Sequence, residues 1–325
     1  MSEKAIISSI IFVLIFSTGL CSAAQALLGA SPYLASPRII AMGGAFVAVV
    51  DDANAVFLNP ADLGDLTYGD LSTSYGSLPE NLKQYYFVGS AGFKDFGGLG
   101  LGYYMVGFFD EPMDVLDGSG NVIGLVNSTC WNGDLAVGYG KRIGEGILLG
   151  GRVRRLSQEV KFTVVTSESG LLEDLNNSGE GYGLDVGLLI KPFYGFSVGI
   201  LFENLYTTDF IYNDGMHESI PSGMRLGFSY LPTNPNILLA MDFRSDNIEE
   251  SSDIDAISIG SEIDVSGWLK LRFGYLFEND SASYAGTGSA GLGINFLDNF
   301  RFDYAYRKWG GMAFDEHYFS LGAKL

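Results

Sequence analysis

Two cysteines, nine prolines and 19 basic residues are few for a chain of 325. Cys21 lies in an apolar leader, so Cys130 stands alone in the rest of the chain. A single cysteine forms no intrachain disulfide and no zinc site. The 38 acidic residues leave a net charge of −19, without the basic footprint that nucleic acid requires. The acidity by itself names no partner. Past the N-terminus there is no apolar run of about 18 residues, so no transmembrane helix is available. Histidine is equally scarce. His217 lies beside Glu218 and Ser219 in a loop, and His317 lies at the rim of the last strand. With no G-x-S-x-G and no paired histidines, the sequence predicts no catalytic residue, metal site, cofactor or enzyme activity.

What is present is apolar. Charged residues make up only 18%, aromatics reach 14%, and there are 44 glycines. Mean hydropathy is +0.19. Without helical spans, this composition leaves a large buried β core or a transmembrane β-barrel.

Residues 1–26 read as a secretory signal. Lys4 supplies the positive end, "AIISSIIFVLIFSTGL" the apolar core, and "AQA" (Ala24 to Ala26) the small-x-small cleavage site. Leu20 before Cys21 does not suit lipid attachment.

From Leu66 onward, segments of about ten residues alternate apolar with small or polar residues, the period of a strand. In "LKLRFGYLFE", Leu269, Leu271, Phe273, Tyr275 and Phe277 share one face, with Lys270, Arg272 and Glu278 on the other. "FRFDYAYRK" opposes Phe300, Phe302, Tyr304 and Tyr306 to Arg301, Asp303 and Arg307. "YGLDVGLLIK" and "MRLGFSY" repeat the pattern around Asp185 and Arg225. About fourteen such segments run between residues 66 and 325. Tight connectors such as "DFG", "RIGEG", "PFYG", "VSG" and "LDN" alternate with longer ones, expected near 110–130, 161–180, 205–221, 245–254, 279–285 and 309–316. Such sorting is the mark of an outer-membrane barrel. The expected fold is therefore all-β, an antiparallel transmembrane barrel of about fourteen strands. Only a closed sheet pairs every backbone N–H and C=O in hydrocarbon without helices. Membrane lipid is then the partner of its outer face.

Inward positions carry both signs of charge. Arg152, Asp185, Arg225, Asp242, Arg272 and Asp303 fall mid-strand, where they can pair across neighbours. They suit a charge-compensating ladder inside the lumen or a path that steers a ligand head group, and the sequence does not separate the two.

"SPRIIAMGGAFVAVVDDANAVFLNPADLG", Ser36 to Gly64, alternates too poorly for a strand and is too polar for a span. It resembles the N-terminus of FadL-like outer-membrane barrels, most of all their PorV/PorQ-like branch. The matching residues are Arg38, Met42, Gly43, Gly44, Asp51, Asp52, Asn59, Pro60 and Ala61, with Asp62 where that family has glycine. "FENL", "PSGMRLGFSY", "LRFGY" and "FRFDYAY" continue the likeness. The resemblance implies an N-terminal hatch folded inside a 14-stranded barrel, residues 27–65 within 66–325, in the outer membrane of a diderm bacterium. It implies passive uptake of hydrophobic small molecules such as long-chain fatty acids, released sideways through the third strand. Gly97, Gly98, Gly100, Gly102 and Gly107 mark that strand as the candidate lateral gate, because glycine weakens strand pairing. The PorV-like branch implies another role, in which the outer loops bind secreted proteins or components of a type IX secretion system. A structural barrel without transport is the third reading.

Overall fold

The computed structural model describes residues 35–325 except 50, 80, 117–121, 167–171, 233–235, 247, 249–253, 281–282 and 310–314. The expected signal segment lies outside the described residues. The described chain begins with short helical turns, α1 (Pro37–Ala41), α2 (Ala55–Leu58) and a 3-10 turn (Pro60–Asp65). Sixteen strands follow: β1 (Gly69–Ser77), β2 (Lys83–Phe93), β3 (Gly97–Leu116), β4 (Val122–Gly144), β5 (Ile147–Thr166), β6 (Leu172–Phe193), β7 (Phe196–Thr207), β8 (Phe210–Tyr212), β9 (His217–Glu218), β10 (Gly223–Tyr230), β11 (Ile237–Ser245), β12 (Ala256–Asp264), β13 (Leu269–Asp280), β14 (Ser283–Phe296), β15 (Phe300–Trp309) and β16 (Asp315–Lys324).

All but β8 and β9 form one closed antiparallel ring of fourteen strands. β1 pairs with β16 from Asp70↔Lys324 to Ser77↔His317, and β5 pairs with β6, so no edge remains in the ring. β8 and β9 are a small hairpin on the upper part of β6.

The pleat places apolar side chains outside and polar ones inside. On β13, Phe273, Tyr275 and Phe277 are exposed while Arg272 is buried. On β16, Phe319 and Leu321 point out while Ser320 and Glu316 are buried. Aromatics gather at the short-turn rim, where Phe93, Phe96, Phe193, Trp268, Phe296 and Phe300 are exposed. A second set, Tyr75, Tyr85, Tyr275 and Phe277, lies farther up. From Trp268 to Phe277 the strand runs about 30 Å, which a tilt of about 40° reduces to roughly 23 Å, the height of an outer-membrane apolar band. No helix among the described residues is long and apolar enough to cross a membrane.

Two expected long loops are strand instead. β3 and β4 fill most of 110–130, and β5 and β6 most of 161–180. The four strands have 20 to 23 residues, about twice what a bilayer requires. Along the upper parts of these strands inward residues such as Val126, Cys130 and Phe162 are apolar and buried, so the polar–apolar alternation fades from the sequence while the ladder continues. The connector expected at 279–285 likewise shortens, since β13 reaches Asp280 and β14 starts at Ser283.

Candidate functional site

The residues of the inner segment, from Ala35 to Leu63, occupy the bore of the barrel. Nearly all are buried; Asp51 is the exposed exception. Their local shape follows from composition. Pro37 opens α1, and the N–H groups of Ile39 and Ile40 donate to the Ser36 carbonyl. Gly43 and Gly44 end it with φ of 65° and 87°, a conformation costly for other residues. Asn59 accepts from the Ala61 N–H at 3.2 Å and so caps the 3-10 turn that Pro60 begins. The Asp52 carboxylate accepts from the Asn54 N–H at 2.9 Å and fixes the turn into α2.

The wall receives this segment on bare glycine. Gly92, Gly98, Gly140, Gly150 and Gly187 lie directly opposite one another across β2 to β6. Gly199 opposes Gly227, and Gly260 opposes Gly274. A methyl group on these residues would press into main chain or side chains of the inner segment: Leu63 at Gly98, Pro60 at Gly140 and Gly150, Asn59 at Gly187, Val47 at Gly199, Met42 at Gly260. The result is a belt in which backbone lies on backbone.

Side chains of the wall then satisfy the inner segment's backbone. One oxygen of Asp242 accepts from the N–H groups of Phe46 and Val47 at 2.6 and 2.9 Å. Asp70 accepts from Ala53 N–H at 2.8 Å. Ser229 and Ser74 donate to the carbonyls of Ala48 and Ala35, both at 2.7 Å. Arg152 donates to the carbonyls of Val56, at 3.2 Å, and Phe57, which end α2. A segment without a ladder of its own thus meets few unsatisfied groups in the bore.

Charges tie these contacts together. Arg38 donates to Glu262 at 2.9 Å and to Asp52 at 3.0 Å, and it also pairs with Asp51. Burial opposes its charge, but the three carboxylates outweigh burial and hold its proton firmly. Arg272 bridges Glu262 and Asp303, both at 2.7 Å. Arg301 holds Asp70 at 2.8 Å. Arg152 pairs with Asp185 and, at 3.2 Å, with Glu203, which Arg225 holds at 2.7 Å. The six charges singled out mid-strand therefore fall into three groups. Arg152 and Arg225 meet through Glu203, and Asp185 joins them by its pair with Arg152. Arg272 and Asp303 meet with Arg38 through Glu262. Asp242 serves the segment's amides.

The five glycines of the candidate gate are placed differently from one another. Gly98, Gly100 and Gly102 face Leu63, Val56 and Phe57 of the inner segment. Gly97 has φ of 106° at the turn, and Gly107 meets the backbone of Cys130 and Trp131. The ladders of β3 with β2 and β4 are unbroken through 98–107. The first register break in β3 follows, between Phe108 and Glu111. A second break lies between β6 and β7 at Asp185, where three residues of β7 oppose one of β6. There the Asp185 side chain accepts from the Asn204 N–H at 2.5 Å, and Asn204 takes φ of 54°.

Glu262, Asp70 and the glycine belt were not singled out by sequence as contacts of the inner segment, nor Glu203 as the joint between Arg152 and Arg225. The signal for the belt is a glycine at an inward pleat position near the short-turn end of strand after strand. Among the described residues no cluster of three or more His, Cys, Asp or Glu is arranged to hold a metal ion.

No protein-family model matches the chain, and no curated protein sequence matches it. Solved structures do. The toluene transporter TodX of Pseudomonas putida superposes with a TM-score of 0.63 at 13% identity, over 89% of this chain and 96% of that one. The CymD monoaromatic hydrocarbon channel gives 0.61 at 13%, over 89% and 97%. A Pseudomonas aeruginosa FadL homologue gives 0.58 at 11%, over 89% and 97%. The chain has the fold of these barrels.

Proposed function

We propose that this protein is an outer-membrane channel for passive uptake of hydrophobic small molecules, with residues 1–26 as export signal, 27–65 as a movable plug and 66–325 as the barrel. The observation that carries this reading is that the wall closes on itself without the inner segment. Every strand of the ring pairs with strands, and the segment is held by glycine contacts and a limited set of polar pins. It can therefore move without opening the sheet. The fold shared with hydrocarbon channels supports the same reading, and the apolar outer face between two aromatic rims supports the membrane location. Long-chain fatty acids are one ligand class, and sideways release near residues 97–107 is one route, with the break at Phe108 and Glu111 just beyond.

The test is uptake of a labelled long-chain fatty acid and of labelled toluene into liposomes that contain the protein. The control joins plug to wall by a disulfide between Ala48→Cys and Ser229→Cys. Uptake that the disulfide abolishes and a reductant restores supports the channel. Equal flux with the bond formed or reduced sinks it.

A second reading, protein binding of the PorV type, draws on the projecting wall of β3 to β6, which offers a surface above the membrane. Co-purification of secreted proteins, lost when 109–130 is shortened to a tight turn, is its test.

A further inference from the structure

Buried carboxylates along the joint between plug and wall are held by two or more donors. Asp52, Asp70, Asp242 and Glu262 all follow this rule. Asp62 does not. It lies at the foot of the plug, 2% exposed, in the 3-10 turn packed against β4 and β5. One oxygen is 3.6 Å from Lys191 Nζ, and the other has no hydrogen-bond partner. Lys191 is engaged more closely by Asp65, at 2.7 Å, and Asp65 also pairs with Arg142.

The groups around this carboxyl are few. Lys191 comes from β6, and Lys141 and Arg142 come from β4. Asp65 and Asp51 come from the plug and add negative charge. β3 and β5 present Gly98 and Gly150 to the same turn. An ionised carboxylate with one bare oxygen is costly in such a place, and the neutral acid much less so.

We propose that Asp62 is a protonation latch: as the neutral acid it seats the foot of the plug against the wall, and loss of the proton loosens it. This rests on the reading that the inner segment is a movable plug. Burial, with the neighbouring Asp51 and Asp65, pushes the Asp62 carboxyl up to about 7 against the pull of Lys191. The seated state therefore binds a proton that the released state gives up. Seating is strongest below the ordinary carboxylate range and weakens as pH rises towards about 7. Across that window the released fraction grows by up to about tenfold per pH unit.

The experiment follows the foot of the plug directly. In the full chain with Cys21→Ser and Cys130→Ser, Ala61→Cys is labelled by a membrane-impermeant maleimide between pH 5.5 and 8.5. Rates are divided by those of an exposed control, Ser266→Cys. The expected result is a rise of about tenfold or more between pH 5.5 and 7.5, absent in Asp62→Asn. Lys191→Met is expected to move the midpoint to higher pH, a shift that a purely structural role does not produce. A flat wild-type profile, an equal rise in Asp62→Asn, or an unmoved midpoint in Lys191→Met overturns the latch. Failure of fatty-acid uptake with the labelling response intact sinks the channel reading and leaves the latch standing.

Discussion

A methyl group on Gly98 of the wall would overlap the main-chain carbonyl of Leu63 in the plug. The two segments touch there as backbone on backbone, with no side chain between them that could adjust. Fit of this kind is shape alone, so it is sensitive to single atoms.

Gly98→Val is therefore expected to lift the foot of the plug while the barrel still closes, since β3 accepts valine readily. The cost is of the order of 1–3 kcal/mol of overpacking. In planar bilayers the variant should show a raised basal conductance. A conductance equal to wild type, with the protein folded by heat-modifiability on gels, would show that the glycine belt does not seat the plug.

Arg152 is fully buried between Asp185, Glu203 and the carbonyls that end α2. Arg152→Gln removes the charge that joins Asp185 to Glu203, leaving Asp185 with Arg154 at 3.6 Å and Glu203 with Arg225 at 2.7 Å. Breaking a buried network from one side costs about 3–5 kcal/mol. The unfolding midpoint of the purified barrel in denaturant should fall clearly, and adding Asp185→Asn should recover part of the loss. A double variant no more stable than the single one would contradict the pairing.

Arg38 is the plug's own contribution to the ion network, and Glu262 is its partner on β12. Arg38→Met should free the start of the inner segment and leave Glu262 with Arg272 and Lys270. The expectation is faster proteolysis within 36–52, measured by limited digestion and mass spectrometry, with the strands intact. Protection equal to wild type would place the anchoring elsewhere.

Asp242→Asn keeps one carbonyl oxygen for the amides of Phe46 and Val47, whereas Asp242→Ala keeps none. Hydrogen exchange at those two amides should stay slow in the first variant and quicken in the second. A lost hydrogen bond to a charged acceptor is worth about 1.5–3 kcal/mol, which corresponds to roughly a tenfold or greater change in exchange. Equal exchange in both would show that Asp242 is not the acceptor that protects them.

The strands were legible because membrane and lumen impose a strict period of two. Phe273 and Tyr275 against Arg272 needed no partner to be read. The extent of β3 to β6 was not legible, because segments such as "VKFTVVT" lack the strict polar–apolar period of the membrane-spanning strands. The charge pairs were half legible. Arg152, Arg225 and Glu203 were visible as inward charges, but that both arginines meet at Glu203 was not, because β7 breaks register there. The glycines of β3 illustrate the remaining difficulty. A glycine in a strand reads equally as a weak point in the wall or as room for something beside it, and only the neighbour decides. At Gly98, Gly100 and Gly102 the neighbour is the plug.

The contact between Arg38 and Glu262 spans 224 residues of chain. Such separation gives the joint one of the longest loops to close in the molecule, and contacts of that kind form late. Ala35 and Ala53 find partners on β1, at Ser74 and Asp70, but Arg38 has no carboxylate of the wall to hold until β12 is in place. The inner segment therefore gains its full set of anchors only when the ring is nearly complete.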